Sequence, residues 1–292
     1  QVASLADMAT KFGDDSQMYA MYERFRKNCP FGNVYCAGIT VTGGAAAEAT
    51  WTVTGTATAP GTFYVYVGDR DFERIPVDVS VGDDQTAVAS AIEVAVLANP
   101  NRWMDASAAL GVVTFTSLWN GAVYHDARLD FNVRGSAGGE VLPAGLTLTR
   151  TDNMGETTPG SGSVSIANVI SAMGSTEFDW IVSAANDTTN LGLLTAALND
   201  TSGRWAWNVK KYGHAFASYQ GTQSELTTYG ALLDDQHLSA VGVEGLNDTA
   251  GGNYDPKSLT PTWSMAAGIA GITATANMAN PARPYKSLQA QG

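Results

Sequence analysis

Charge is scarce in this 292-residue sequence. Asp, Glu, Lys and Arg together make up 15% of it, against the quarter usual for soluble domains. What charge there is leans one way: 28 acidic residues stand against 16 basic ones, a formal net charge of −12. No basic tract interrupts the excess, so we expect no direct contact with nucleic acid. Long apolar runs are missing too. Residues 258–282 carry no charge, but their Gly, Ser, Thr and Asn make them too weakly apolar to span a bilayer. The expectation there is a buried helix and no membrane.

The residues that catalysis and metals use are few. Cys29 and Cys36 form no CxxC pair and have no His beside them, which predicts buried reduced thiols, with a disulfide as the alternative. Of the three histidines, His125 falls in a loop, while His214 and His237 open adjacent expected strands. No third ligand is spaced with those two as a metal requires. There is no G-x-S-x-G nucleophile turn and no G-x-x-x-x-G-K-[ST] phosphate loop; Gly251-Gly252 opens no helix. Ser161 and Ser163 sit in a Gly-rich linker. The carboxylate pairs Asp69/Asp71, Asp83/Asp84 and Asp234/Asp235 fall at turns and helix ends, where solvated caps explain them. Asn-Asp-Thr at 186, 199 and 247 reads as turns and caps. Trp205 and Trp207 precede Lys210-Lys211, a stacking pattern that single-stranded nucleic acid uses; in so acidic a chain, packing or subunit contact is the expectation. We therefore expect no catalytic, cofactor-binding or metal-ligating residues, and no enzyme.

Small residues fill the space that charge leaves: there are 31 Gly, with abundant Ala and Thr. Such a composition points to surface covered by other subunits. The length favours two domains, and the periodicity divides the chain the same way. Residues 1–13 show no clear period. Residues 16–27 place Met18, Met21, Tyr22 and Phe25 on one helical face, with Asp14, Asp15 or Ser16 as cap and Arg24, Arg26 and Lys27 at the C-terminal turn. Residues 33–41 predict the first core strand.

From Gly43 to about Arg150 the period becomes two. Strands are expected near 51–56, at 62–67 (stopped by a turn at Gly68-Asp69), 75–81, 111–117, 128–134 and 146–148. In the fifth, Leu129, Phe131 and Val133 should face a core and Arg128, Asp130, Asn132 and Arg134 should face water. One helix, capped by Asp83 or Asp84, aligns Val88, Ile92 and Val96. Gly43-Gly44 and residues 153–163 are the expected crossings into and out of this region.

After it, an α/β pattern returns. A helix is expected at 164–174. The stretch 178–220 then predicts strand, helix and strand. The helix is capped within Asn186-Asp187-Thr188-Thr189, carries Leu191, Leu194, Ala197 and Leu198 on one face, and closes at Gly203. This is a βαβ unit, implying parallel pairing. Thr222-x-x-Glu225 is a capping box, His237 to Val243 a further strand, and Thr260 or Thr262 beside Pro261 starts a last helix that ends at Asn280-Pro281. The fold class is α/β: a βαβ-type core domain from residues 1–42 and 153–292, and an inserted β-rich, β-sandwich-like domain, residues 43–152, carrying one helix. We expect the two to fold independently.

Taken in order, several stretches resemble the Mu-type contractile tail sheath proteins of bacteriophages. They are Met18-Tyr-Ala-Met-Tyr-Glu23; Cys29-Pro-Phe-Gly-Asn-Val-Tyr-Cys-Ala-Gly38; Gly55-Thr-Ala-Thr-Ala-Pro-Gly-Thr-Phe-Tyr-Val-Tyr-Val-Gly68; Leu142-Pro-Ala-Gly-Leu-Thr-Leu-Thr149; Gly213-His-Ala-Phe-Ala217; and Asn280-Pro-Ala-Arg-Pro284. No single motif is specific; their order and spacing over about 15–285 is. The resemblance implies a structural subunit that polymerises around a tail tube as stacked rings or helical strands and contracts to drive the tube through the host envelope. Its partners would be further copies of itself, the tube protein, the baseplate and the tail terminator. Its location would be the virion tail, assembled in the host bacterial cytoplasm. The family continues into a C-terminal domain and terminal arms not seen here. We therefore expect a fragment of a longer protein, monomeric by itself because those arms supply β-augmentation between subunits. The alternatives are an enzyme with an unrecognised site, and a virion or surface protein binding a receptor or glycan through the inserted β domain.

Overall fold

The computed structural model describes residues 1–279 apart from 40, 68–72, 100–101, 126, 152–153, 163 and 245–259. The expected turn at Gly68-Asp69, the pair Asp69/Asp71, Ser163, the third Asn-Asp-Thr, Gly251-Gly252 and the closing Asn280-Pro-Ala-Arg-Pro284 lie outside them. The protein has the α/β class expected, with several sheets and seven α-helices among the described residues. Two compact units divide the chain. One comprises residues 1–40, 164–258 and 262–292, the other residues 41–163 with 259–261.

The first unit opens with α1 (Leu5–Phe12), where no period was evident. Its signal is a cap: the Ser4 side chain accepts from the Asp7 amide, and Asp7 Oδ2 accepts from the Ala3 amide at 3.0 Å. Gly13, at φ 85°, ends it. Helix α2 (Gln17–Asn28) is capped by Ser16, one of the three candidates, and carries Arg26 and Lys27 in its last turn. Val2, Met8 and Tyr22 bury together, with Val34 and Cys36 packed on them. The strand expected at 33–41 is not formed. A single antiparallel bridge, Val2 to Val34, is all the pairing it has among the described residues. An apolar run becomes a strand only where an edge offers a ladder of partners, and here that edge is one residue long.

The second unit holds two antiparallel sheets. Its elements are β1 (Ala46–Gly55), β2 (Gly61–Val67), β3 (Glu73–Val79), α3 (Gln85–Leu97), β4 (Met104–Ala109), β5 (Val112–Asn120), β6 (Leu129–Phe131) and β7 (Leu146–Arg150). The sheet orders are β4-β5-β1-β7 and β3-β2-β6. Period-two alternation buries Ala47, Ala49, Trp51 and Val53 on β1 and Val113, Phe115 and Ser117 on β5. Trp51 links the sheets: its ring lies 5.1 Å from Phe115 on β5 and 6.0 Å from Phe131 on β6. Asp84 caps α3 through the amides of Thr86 and Ala87, and Val88, Ala89, Ile92 and Val96 face the core. Strand β4 was not foreseen; its Met-Asp-Ala-Ser-Ala-Ala alternates Ala with small polar residues, too little contrast for a period to register. Residues 154–162, expected as part of a crossing, run with this unit: Thr158 bridges Glu48, and the Ser161 amide donates to Ala45 at 3.0 Å.

The rest of the first unit is α4 (Ala167–Met173), β8 (Trp180–Val182), α5 (Thr188–Leu198), β9 (His214–Gly221), α6 (Gln223–Leu232), β10 (Leu238–Glu244) and α7 (Thr262–Ala279). The expected βαβ unit is present and repeats: β8 pairs β9 and β9 pairs β10, both parallel. Asp187 caps α5, and Thr222 with Glu225 forms the capping box of α6. Helix α5 stops at Leu198, before Gly203. The Asn199 side chain accepts the amides of Thr201, Ser202 and Gly203 and turns the chain there.

Alternation on β9 serves two layers. Ala215 and Ala217 bury against Leu191, Leu194 and Leu198 of α5 and Tyr229 of α6. Phe216 and Ser218 point the other way, and α7 packs on β9 and β8. Helix α7 is buried mostly through small residues, among them Ala266, Ala267, Gly268, Ala270, Gly271 and Ala274. That lets it approach α2 closely. A Cβ on Gly271 would meet the Phe25 carbonyl oxygen at 2.8 Å, and Thr275 Oγ1 donates to the Asn28 carbonyl at 2.6 Å. Replacing Gly271→Val should push the helices apart and cost about 1–3 kcal/mol. Denaturant unfolding reads this as a lowered midpoint at unchanged slope.

Candidate functional site

The residues that sequence reasoning considered for chemistry are occupied by structure. His125 Nε2 accepts the Gly160 amide at 2.8 Å. Ser161 Oγ accepts the Ala45 amide. Asp83 accepts the Ser80 amide and Asp235 the His237 amide. Both cysteines are free. Cys29 is buried and its thiol donates to the Phe31 carbonyl; Cys36 is half-buried, and burial pushes its thiol up to about 11. Among the described residues no group of three His, Cys, Asp or Glu side chains could hold a metal, and no helix is long and apolar enough to cross a membrane.

His214 and His237 do come together, at the N-terminal ends of β9 and β10. His214 Nε2 lies 2.8 Å from Ser239 Oγ. His237 Nε2 lies 3.2 Å from Asp200 Oδ1, and its ring is tilted on Trp205 with centroids 4.6 Å apart. The Ser239 hydroxyl meets His214 while the Asp200 carboxylate meets His237, so the hydroxyl and the carboxylate fall on different rings and these groups do not line up as a Ser-His-Asp relay. Burial, then the neighbouring His237, holds the His214 imidazole below its ordinary value, with Asp235 opposing.

Trp205 anchors the segment 203–213. Its Nε1 donates to the Gly213 carbonyl at 2.8 Å, and its ring meets Tyr212 edge-on at 4.8 Å. Ala206 is fully buried, and backbone bonds from Lys210 to Ala206 and from Lys211 to Arg204 close the turn. Arg204 donates to the carbonyls of Gly174 and Thr176. Trp207, by contrast, is 81% exposed. The two tryptophans of the Trp-Ala-Trp run thus part: one packs, one faces out.

Sequence reasoning missed the charged network of the second unit. Glu140, 2% exposed, takes the Tyr66 hydroxyl at 2.5 Å, Arg74 Nε at 2.7 Å and the Arg134 amide at 3.1 Å. Burial alone would raise the Glu140 carboxyl, but these donors outweigh it and hold its pKa below the usual value. Burial, then the carboxylate, pushes the Tyr66 hydroxyl up to about 12. Arg128 and Asp130, expected to face water, are buried, at 2% and 9% exposure, and paired at 2.9 Å; Arg150 Nη2 adds a second contact to Asp130 at 3.0 Å. Arg128 and Asp130 therefore pack inward, with Arg150 on β7 as a further counter-charge, while Arg134 stays exposed and Val133, expected to face the core, is 42% exposed.

The unfolded chain protonates its histidines before folded His214 does, so the stability neutral His214 contributes is full above about 6.5 and is lost as pH falls through its folded value. The unfolding midpoint should drop as pH falls from about 7 towards 5, and His214→Gln should flatten that slope. Glu140 titrates lower and leaves this window undisturbed. Glu140→Ala should cost about 3 kcal/mol by stranding buried donors, and Tyr66→Phe less, both read by chemical denaturation.

No family profile matches the chain. It is similar to the Mu-like prophage FluMu tail sheath protein of Haemophilus influenzae, 25% identical over 289 residues. That alignment takes in 99% of this chain and 54% of the relative, so the chain spans about half the relative's length. Both units lie within the similarity. Along nearly its whole length, then, the chain is a relative of a Mu-like tail sheath protein, the family its sequence resembles.

Proposed function

We propose that this chain is part of a structural subunit of a phage contractile tail sheath. The observation that carries the reading is the similarity to a tail sheath protein through 99% of the chain. In this reading the longer protein polymerises around the tail tube and contracts to drive it through the host envelope. Its partners are other sheath copies, the tube, the baseplate and the tail terminator. It assembles in the host cytoplasm and resides in the virion. Residues 43–152 form its separately folding outer domain.

The work of such a subunit is mechanical. Free energy is held in the extended lattice and released as contacts rearrange, so no nucleotide site and no catalysis are required. A supporting observation is that His125, Ser161, Asp84 and Asp187 each accept a backbone amide. The receptor- or glycan-binding alternative finds no support in the relative's name. Electron microscopy of the longer protein tests the reading. We expect hollow striated cylinders in a long and a shortened form; dispersed particles at every concentration and salt would overturn it.

A further inference from the structure

We infer that the turn at 203–213 is a contact between copies of this chain, and that it docks on an acidic surface elsewhere on the next copy rather than on the same turn. The inference rests on the sheath reading and names one of its contacts. Trp207 is 81% exposed, and Val209 and Tyr212 are 41% and 45% exposed beside it. Aromatic residues of this kind dominate binding energy when an interface covers them. Lys210 is exposed and Lys211 half-exposed on the same turn, and neither ammonium has an acidic partner among the described residues. Lys210 is held at φ 52°, left-handed for a residue that is not glycine.

The turn is not loose. The Trp205 bond to Gly213, the Trp205 ring packed on Tyr212 and His237, buried Ala206 and the two Arg204 bonds all hold it. A rigid exposed platform loses little freedom on binding. Its chemistry selects the partner. A chain of net charge −12 offers an acidic surface in every further copy, and two lysines around an aromatic knob complement it. The same lysines exclude a twofold contact of the turn with itself, since like charges would meet. What remains is the turn against a different surface of the next copy; repeated in one direction, such a contact closes rings or propagates strands.

The test is photocrosslinking of this chain with Trp207→p-benzoylphenylalanine over a range of concentrations, with adducts mapped by mass spectrometry. We expect adducts between copies that rise with concentration and fall on segments rich in Asp and Glu. Lys210→Glu, or salt of about 1 M where screening is nearly complete, should cut them roughly tenfold. Circular dichroism of Lys210→Glu, changed at an exposed position, should stay as in the parent. Three results would each overturn the inference. One is a yield no higher than that from the same probe at Leu110, exposed in the other unit. Another is adducts confined to 203–213 of the second copy. The third is tight, salt-sensitive binding of oligodeoxythymidylate that protects residue 207. Cylinder formation by the longer protein is scored separately. Cylinders without Trp207 adducts would sink this contact and leave the sheath reading intact; adducts without cylinders would do the reverse.

Discussion

Strand β9 must be covered on both faces, and the architecture of the first unit follows from that. A parallel sheet cannot leave a face to water as an antiparallel one can. Three strands in the order β8, β9, β10, joined by α5 and α6, need right-handed crossovers, which put both helices on one side. The opposite face then needs a cover from elsewhere in the chain. Helix α7 supplies it, and in turn needs α2 on its far side. The Ala and Gly content that looked unusual in the composition has its place here. A helix buried on several sides must be thin, and α7 buries Ala and Gly while Met265, Ile269 and Ile272 are only partly covered.

The second unit solves its packing differently. Its sheets share apolar residues through Trp51, but they also enclose ionised groups. Removing a carboxylate from water is costly unless several donors replace it. Glu140 has a hydroxyl, a guanidinium and an amide; Asp130 has two guanidinium groups. Tyr66 explains why β2 is buried on both sides near its end. Val65 and Val67 face one way, and Tyr66 reaches Glu140 the other way. The partners come from β3 and from the segment after β6, so the network ties the smaller sheet to its own loops.

These two solutions differ in how far they could be foreseen. The first unit's second half was legible because its signals are local. Asp187 and the Thr222/Glu225 box mark helix starts within four residues, and α5's leucines repeat at helical spacing. The strand expected at 33–41 failed because pairing is not local: Val34 has its apolar neighbours but only Val2 to pair with. Helix α1 shows the opposite case: its start is marked locally by the Ser4 and Asp7 cap, while residues 1–13 carry no clear period. At 128–134 Leu129 is buried as expected, but Arg128 and Asp130 are buried too and Val133 is exposed; Arg150 is 20 residues from Asp130 and nothing nearby announces the pairing. The candidate site was half legible. The Trp-Ala-Trp-Asn-Val-Lys-Lys run stood out, but which tryptophan packs depends on Gly213 and His237 across the turn.

A last step connects composition to the kind of work such a chain can do. Several polar groups here serve the backbone: carboxylates cap helices, a hydroxyl accepts an amide, and one imidazole does the same. Each such bond satisfies a backbone donor, so withdrawing one costs stability. What stays unspent lies outside, in side chains that folding does not require, such as Trp207 and Lys210. A surface acts by choosing neighbours: apolar area supplies the attraction, and charge, sparse here and of mostly one sign, sets which faces may meet.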